Sequence, residues 1–354
     1  MHELLVTEQC ACRDGAAIWV VEGGKSVSGR EDDRRLAEVR RGLMRHPGVR
    51  AQAADVADET VDRRLRVIHS TSYIEALEAI ESEEPVVMPE LTAPGLAPDV
   101  PVCASLVRAA REGVKTAIAA AEALASGTRL SYALSRPPGH HAGPAWFGGY
   151  CYLNTSAVAA VTLLDSGFAQ VGVLDLDLHY PNGTSAIVAS IGEVELHSLH
   201  SSMLPEATRE QAAAHARKEH QVEFDRPPSA PEYMVALAGS VNLLRESVGA
   251  LVLSLGYDTL RNDPHGSWSF SPAIFAQIGR LIALSHLPVC VIQEGGYSLG
   301  RLAGCSYALA TGLLGPGARA SLPGKSVGVP SARRPRAARR PAGAIAALGR
   351  EVVS

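Results

Sequence analysis

The hydrophobic positions of this chain alternate between short apolar runs and longer segments with an apolar residue at every third or fourth position. Short apolar runs favour buried strands, and a period near 3.6 residues favours helices. From residue 129 onward the pattern predicts strands over 129–134, 171–178, 194–199, 250–256 and 288–293, and helices over 154–165, 231–247, 272–285 and 299–313. Strands that alternate with helices predict a parallel sheet.

The first 125 residues are less regular. Two short strands, the second over 16–22, are predicted before helices over 31–44, 58–68, 72–82 and 104–125. We therefore predict an α/β fold with a single large domain over residues 1–322, in which helices cover both faces of a central, mostly parallel sheet. Residues 323–354 are rich in Pro, Gly and Arg and have no apolar face, which predicts a disordered basic tail.

Composition narrows the class of protein. The 354 residues are 46% hydrophobic and 20% charged with a net charge of -4, which is typical of globular proteins and does not indicate nucleic acid as a partner. No apolar run reaches the roughly 18 residues that a membrane span needs. The six cysteines are scattered, so we expect reduced thiols in a cytoplasmic protein. The oligomeric state stays open.

Unusual polar residues directly follow four of the predicted strands. In chain order they are His140 and His141, then Asp175, Asp177 and His179, then Asp258, and finally Tyr297. In open α/β sheets ligands bind at the carboxyl ends of the strands. Each group alone also suits a structural role, but four groups at one edge predict a functional site.

Asp177, His179 and Asp258 form the predicted metal site. Asp177 and His179 are two residues apart and are expected to project from the same side of an extended backbone. Three protein ligands of mixed N and O type leave one position open, as in catalytic zinc sites. Such an ion polarises a carbonyl group and lowers the pKa of a bound water. We therefore predict one zinc ion per chain.

The other polar residues suit acid–base chemistry. The pair of His140 and His141 can take up a proton and return it to a leaving amine. Asp175 is expected to orient His140 and to keep it protonated. The neutral Asn182 is expected to orient His141, which makes His141 the better base. Tyr297 follows two glycines and is placed to donate to a developing oxyanion. The predicted reaction is amide hydrolysis.

Five motifs in chain order carry a family resemblance: RPPGHH, GGYCYLN (148–154), DLDLHYPNGT, LGYDTLRNDP (255–264) and EGGY (294–297). Over residues 60–315 they resemble the zinc-dependent histone deacetylase superfamily, and within it the acetylpolyamine amidohydrolase branch and its bacterial relatives. The resemblance implies the arginase–deacetylase fold, a zinc ion and the roles given above. It also implies that Tyr150, with Gly149 beside it, forms a wall of the substrate tunnel.

The resemblance further implies a structural monovalent cation, usually potassium. Its expected surroundings are Asp175, Asp177, His179, Ser198 and Leu199. Arginases share the fold but hold two manganese ions through additional carboxylates. Pro181 and Gly256 stand at those positions here and cannot be ligands, which argues against a binuclear ureohydrolase.

The chain departs from the family pattern near the expected substrate site. Tyr180 and Pro181 follow the ligand His179, where the family often has His and Gly. The segment 201–205 lacks the aromatic residue that usually faces Tyr150, and the first 50 residues lack the usual opening segment. These features favour a small N-acylated amine as the substrate. A protein lysine deacetylase and a non-catalytic acyl-amine binding protein are the alternatives.

Overall fold

The computed structural model describes residues 3–9, 19–22, 25–93, 100–202 and 219–315, and for 19–22 and 25–28 we describe the backbone only. The strands are β1 (Leu4–Glu8), β2 (Trp19–Glu22), β3 (Lys25–Ser28), β4 (Val49–Ala53), β5 (Leu130–Leu134), β6 (Val171–Asp175), β7 (Val194–Ser201), β8 (Glu219–Phe224), β9 (Ala250–Leu255) and β10 (Val289–Gln293). The α-helices are α1 (Arg34–Leu43), α2 (Asp58–Ile68), α3 (Thr71–Glu78), α4 (Ala104–Ala125), α5 (Thr155–Asp165), α6 (Asn182–Val188), α7 (Ala230–Ser247), α8 (Ala273–Leu284) and α9 (Leu299–Leu314).

Eight strands form a single sheet in the order β4-β1-β5-β10-β9-β6-β7-β8. Every neighbouring pair in this sheet is parallel, whereas β2 and β3 form a separate antiparallel hairpin. The four strands whose ends carry the predicted site, β5, β10, β9 and β6, are consecutive at the centre of the sheet. Their carboxyl ends therefore lie side by side along one edge.

Apolar side chains cover both faces of the sheet. In β9, Ala250 and Val252 pack with helices α2–α6, and the alternate residues Leu251 and Leu253 pack with α1 and α7–α9. This division follows from the period of two along a strand. It confirms the predicted α/β architecture with helices on both faces. Among the described helices, none is long and apolar enough to cross a membrane.

The pattern missed three of the described strands, and two of them are the edge strands of the eight-stranded sheet. β4 and β8 are the two edge strands of the sheet, and their sequences VRAQA and EHQVEF contain polar residues that lie partly exposed. An edge strand pairs with a neighbour on one side only and is partly exposed to solvent. Its sequence therefore lacks the continuous apolar run of a central strand. The hairpin strand β3 was also missed. The Met203–Pro205 segment and the basic tail lie outside the described residues.

The chain leaves the sheet earlier than predicted after β6. The predicted strand over 171–178 ends at Asp175, so Asp177 and His179 lie in a bend and not on extended backbone. The backbone N–H of Asp177 donates to Asp175 Oδ1, and that of His179 donates to Asp177 Oδ1. Side-chain acceptors of this kind stabilise turns in place of a strand ladder. Helix α6, which the pattern did not predict, begins at Asn182.

Candidate active site

Asp177, His179 and Asp258 come together beyond the carboxyl ends of β6 and β9. His179 Nδ1 lies 3.1 Å from Asp177 Oδ1 and 3.1 Å from Asp258 Oδ2. Both carboxylates are buried, and the histidine is half-buried. Ligand atoms bound tetrahedrally at about 2.0–2.1 Å from a zinc ion would be about 3.3 Å apart. The predicted ligand set therefore has the spacing of a metal site, which we call the acidic centre.

Two further features of the acidic centre fit a cation. Asp258 Oδ2 is buried and accepts no hydrogen bond from any residue that the structure describes. Two glycines, Gly256 and Gly295, lie beside the carboxylates of the acidic centre. A Cβ at Gly256 would lie 2.3 Å from Asp177 Oδ2, and one at Gly295 would lie 2.6 Å from the same atom. An unpartnered buried carboxylate oxygen is costly unless an ion or proton binds it. The residues present therefore fit a divalent metal ion.

The pKa values of the acidic centre reflect its concentrated negative charge. Burial and the carboxylate of Asp177 raise the pKa of Asp258 to about 7. Burial disfavours the protonated form of His179, but the adjacent carboxylates of Asp177 and Asp258 raise its pKa well above the ordinary value. Without a cation, this site therefore holds protons that a metal ion would displace.

The two histidines lie in different surroundings. His140 Nδ1 lies 3.3 Å from Asp175 Oδ2, whereas His141 Nδ1 lies 2.7 Å from Asn182 Oδ1. Against the effect of burial, the carboxylates of Asp177 and Asp175 raise the pKa of His140 to about 10. Burial and the neighbouring charge of His140 lower the pKa of His141 well below its ordinary value. The surroundings thus favour the protonated form of His140 and the neutral form of His141.

Tyr297 lies on the loop that follows β10. Its backbone N–H donates to Asp263 Oδ2 at 2.7 Å, and its ring lies under the guanidinium of Arg35 at 4.6 Å from the ring centroid. Arg35 also donates to the carbonyl oxygens of Glu294 and Gly296. The phenol is 8% exposed, next to the acidic centre. Arg35 and Asp263 are supporting residues that the motifs alone did not single out.

Arg35 belongs to a second group of buried charges, which we call the arginine cluster: Glu31, Asp33, Arg35 and Arg136. Glu31 is fully buried and accepts from Arg35 at 2.8 Å and from Arg136 at 3.0 Å. Asp33, which is half exposed, accepts from Arg136 at 2.8 Å. Two carboxylates thus balance two guanidinium groups within the protein.

Glu294 is a further buried carboxylate that sequence reasoning did not assign. Its Oε2 accepts the backbone N–H of Gly139 at 2.7 Å and that of His140 at 3.2 Å, and Oε1 accepts from the hydroxyl of Ser156 at 2.9 Å. Burial raises its pKa to about 7, against the opposing effect of His140. Glu294 therefore ties the loop of the histidine pair to the loop of Tyr297. Its place in the EGGY motif was the only sequence signal.

Tyr150 and Gly149, the predicted substrate wall, border the same site. A Cβ at Gly149 would lie 2.4 Å from His141 Cδ2, so this position packs directly against the predicted base. The ring of Tyr150 lies 5.5 Å from that of Tyr297. Its hydroxyl lies 3.0 Å from Nε2 of His265, a residue that the sequence analysis did not consider.

The residues expected around a potassium ion are also close to one another. Asp175 in β6 pairs in register with Ser198 in β7, and Leu199 is the next residue of that strand. After β6 the backbone N–H of Asp177 donates to Asp175, and that of His179 donates to Asp177. The potassium ion itself stays a prediction.

Comparison with a solved structure defines the class of fold. The crystal structure of acetylpolyamine aminohydrolase from Burkholderia pseudomallei superposes with a TM-score of 0.75 at 25% identity, over 89% of this chain and 99% of that one. The protein thus has the arginase–deacetylase fold. The model of the histone deacetylase domain matches residues 30–313, and the chain belongs to this family.

Curated relatives place the chain within the family. The acetylpolyamine amidohydrolase of Mycoplana ramosa is 36% identical over 201 residues, which are 54% of this chain and 58% of that protein. Acetylpolyamine amidohydrolase 1 of Pseudomonas aeruginosa is 33% identical over 209 residues, or 57% and 60% of the two chains. Histone deacetylase 8 of Arabidopsis thaliana is 30% identical over 52% of this chain and 54% of its own. The chain thus spans little more than half the length of these relatives.

Proposed function

We propose that this protein is a zinc-dependent amidohydrolase that removes an acetyl or other acyl group from an amine of a small molecule. The observation that carries the proposal is the convergence of three metal-ligand candidates, a histidine pair and a buried tyrosine at adjacent strand ends. These are the groups that metal-assisted hydrolysis of an amide requires. The domain boundary at residue 322 stays a prediction.

Asp177, His179 and Asp258 would hold the zinc ion. When bound, the ion supplies a Lewis acid that polarises the substrate carbonyl and lowers the pKa of water. The buried Oδ2 of Asp258, which accepts no hydrogen bond from the described residues, is a ready acceptor for it. A structural potassium ion near Asp175, Ser198 and Leu199 is the second ion that we propose.

The histidine pair moves the proton. Nδ1 of His141 donates to Asn182 Oδ1, so Nε2 of this neutral ring is free to accept the proton of the attacking water. His140 is held in its protonated form by the carboxylate of Asp175 and would donate to the leaving amine. The negative charge of Asp177 contributes to the high pKa of His140, and a bound cation would offset this effect.

Tyr297 supplies the oxyanion donor. Burial raises the pKa of its phenol well above the ordinary value, so the group stays protonated as a hydrogen-bond donor at neutral pH. The contact with the arginine cluster through Arg35 and the bond from its backbone to Asp263 hold it in place. Such a donor acts on the substrate oxygen as negative charge develops.

The small-molecule assignment is supported by the relatives named as acetylpolyamine amidohydrolases, at 33–36% identity. It is tested with the zinc-loaded full chain against acetylated polyamines, acetylated amino sugars and acetyl-lysine peptides. We expect the highest kcat/KM for a small acetylated amine, with one zinc per chain. The Asp258→Asn variant, assayed in parallel, excludes a contaminating hydrolase.

Two results would overturn the assignment. A peptide turned over about tenfold more efficiently than any small amine would make the protein a lysine deacetylase. Tight binding of acylated amines without turnover by the zinc-loaded protein would make it a binding protein.

A further inference from the structure

Three aromatic rings meet beside the acidic centre: Tyr150, His265 and Tyr297. The ring centroids of His265 and Tyr297 are 4.8 Å apart in an edge-on arrangement, and those of His265 and Tyr150 are 5.5 Å apart. Tyr150 and Tyr297 are buried, at 6% and 8% exposure, whereas His265 is exposed. His265 therefore forms the outer member of this group, which we call the aromatic clamp.

The backbone of Tyr150 needs support. Its φ is 69°, in the left-handed region that residues other than Gly, Asn and Asp seldom adopt. The preceding residue, Gly149, has φ 53°, and both residues lie in the turn between Gly148 and Cys151. This conformation costs about 1–2 kcal/mol. It persists only where surrounding contacts favour it. The bond from the Tyr150 hydroxyl to His265 Nε2, at 3.0 Å, is such a contact.

His265 is itself held from the protein side. Its backbone N–H donates to Asp263 Oδ1 at 3.0 Å, while Asp263 Oδ2 accepts the N–H of Tyr297 at 2.7 Å. A Cβ at the next residue, Gly266, would lie 2.1 Å from the carbonyl oxygen of Asp258, so this turn packs against the segment of the metal-ligand candidate. The backbone that carries the imidazole is thus held by Asp263, which also holds Tyr297, and by the segment of Asp258.

We propose that His265 is a positioning residue that holds Tyr150 against the acyl-amine substrate. Its ring lies edge-on to that of Tyr150 and accepts the hydroxyl of Tyr150 at Nε2. The inference rests on the proposed function, because Tyr150 is taken as the substrate wall. It predicts an effect on KM, since the substrate packs against Tyr150, while kcat depends on Tyr297, whose backbone bond to Asp263 does not involve the imidazole.

The test is a double-mutant cycle on the zinc-loaded full chain, with N-acetylputrescine as the probe. His265→Phe keeps a ring but loses the hydrogen bond, and Tyr150→Phe removes its other partner. We expect each to raise KM about fivefold, the factor that corresponds to a hydrogen bond of about 1 kcal/mol. The double variant should raise KM no further, because both changes remove one interaction. His265→Gln, which returns an acceptor near the position of Nε2, should restore most of the affinity.

Independent effects, with the double variant weaker by about 25-fold, would overturn the proposal, as would an unchanged KM in His265→Phe. A failure of the proposed function is recognised separately, because the wild-type protein would then leave the probe intact. In that case ¹⁵N NMR of the imidazole still decides: Tyr150→Phe should shift the Nε2 resonance of His265. An unchanged resonance overturns the proposal whatever the activity.

Discussion

The acidic centre and the arginine cluster both bury charges, and both contact the loop that carries Tyr297. In the arginine cluster, the fully buried Glu31 accepts from Arg35 and Arg136, so the protein supplies its own counterions. In the acidic centre, the carboxylates of Asp177 and Asp258 both lie beside His179, and one buried carboxylate oxygen accepts no hydrogen bond from the described residues. Burial of charge therefore does not by itself mark a functional site. A buried carboxylate oxygen without a hydrogen bond, beside two further metal-ligand candidates, is the feature that distinguishes the acidic centre.

The comparison also separates two uses of buried charge. A paired cluster contributes rigidity, and breaking one partner leaves an uncompensated charge that destabilises the fold. In the acidic centre, the repulsion between Asp177 and Asp258 destabilises the fold, and binding of a metal ion would relieve that repulsion. Variants of the acidic centre should therefore change metal binding, whereas variants of the arginine cluster should change the free energy of unfolding.

The largest expected effect is that of Asp258→Asn. Losing one of three ligands should remove the bound metal and reduce turnover by about 10³-fold or more. Because burial and Asp177 raise the pKa of Asp258 to about 7, removing this carboxylate relieves repulsion in the metal-free protein. At pH 8 with a chelator, the variant should therefore be at least as stable as the wild type. Metal analysis and thermal unfolding check both points, with exposed Asp225→Asn as the control.

Tyr297→Phe should have the next largest effect, because it removes the proposed oxyanion donor. Loss of one oxyanion donor typically lowers kcat by about 10²–10³-fold. The ring, its contact with Arg35 and the backbone bond to Asp263 remain, so zinc content and KM should stay near the wild-type values. Steady-state kinetics with metal analysis make the measurement. An unchanged kcat would place the phenol outside the chemistry.

Glu31→Gln should change stability and leave the metal in place. The amide cannot balance two buried guanidinium groups, and breaking a buried ion pair costs about 3–5 kcal/mol. Denaturant unfolding measures the loss, and zinc content should stay at one per chain. Asp33→Asn is the matched control, since Asp33 is half exposed and its loss should cost about 1 kcal/mol or less. Equal stability of Glu31→Gln and wild type would contradict the role given to this cluster.

The smallest effect concerns His69, a buried histidine that has no carboxylate partner among the residues the structure describes. Its ring nitrogens bond to the carbonyl of Gly143 and the N–H of Asn154, and burial lowers its pKa to about 4. Between pH 6.5 and 4 the unfolded chain binds the extra proton, so the stability that His69 contributes falls as the pH falls, by about 3 kcal/mol at most. The stability difference between wild type and His69→Gln should therefore be smaller at pH 5 than at pH 7.5. The same difference at both pH values, as expected for the exposed control His286→Asn, would contradict this assignment.

His69 and His140 show how far composition alone can mislead. Both are buried histidines, yet burial lowers the pKa of one to about 4 and nearby carboxylates raise that of the other to about 10. Only the position of His140 next to a strand end and a second histidine distinguished it along the chain. The partner Asp175 was predicted because it lies two residues before a ligand candidate.

The sequence by itself determined the central strands, the helices around them and the residues that follow the strand ends. Continuous apolar runs are needed wherever a strand is covered on both faces, so β5, β6, β9 and β10 could be recognised from local pattern. The edge strands and the bend after β6 were missed because polar residues replace the apolar run there. The contacts of Arg35, Glu294 and His265 could not be predicted, because they join segments far apart in the chain. No local period records such contacts, because they depend on which strands become neighbours.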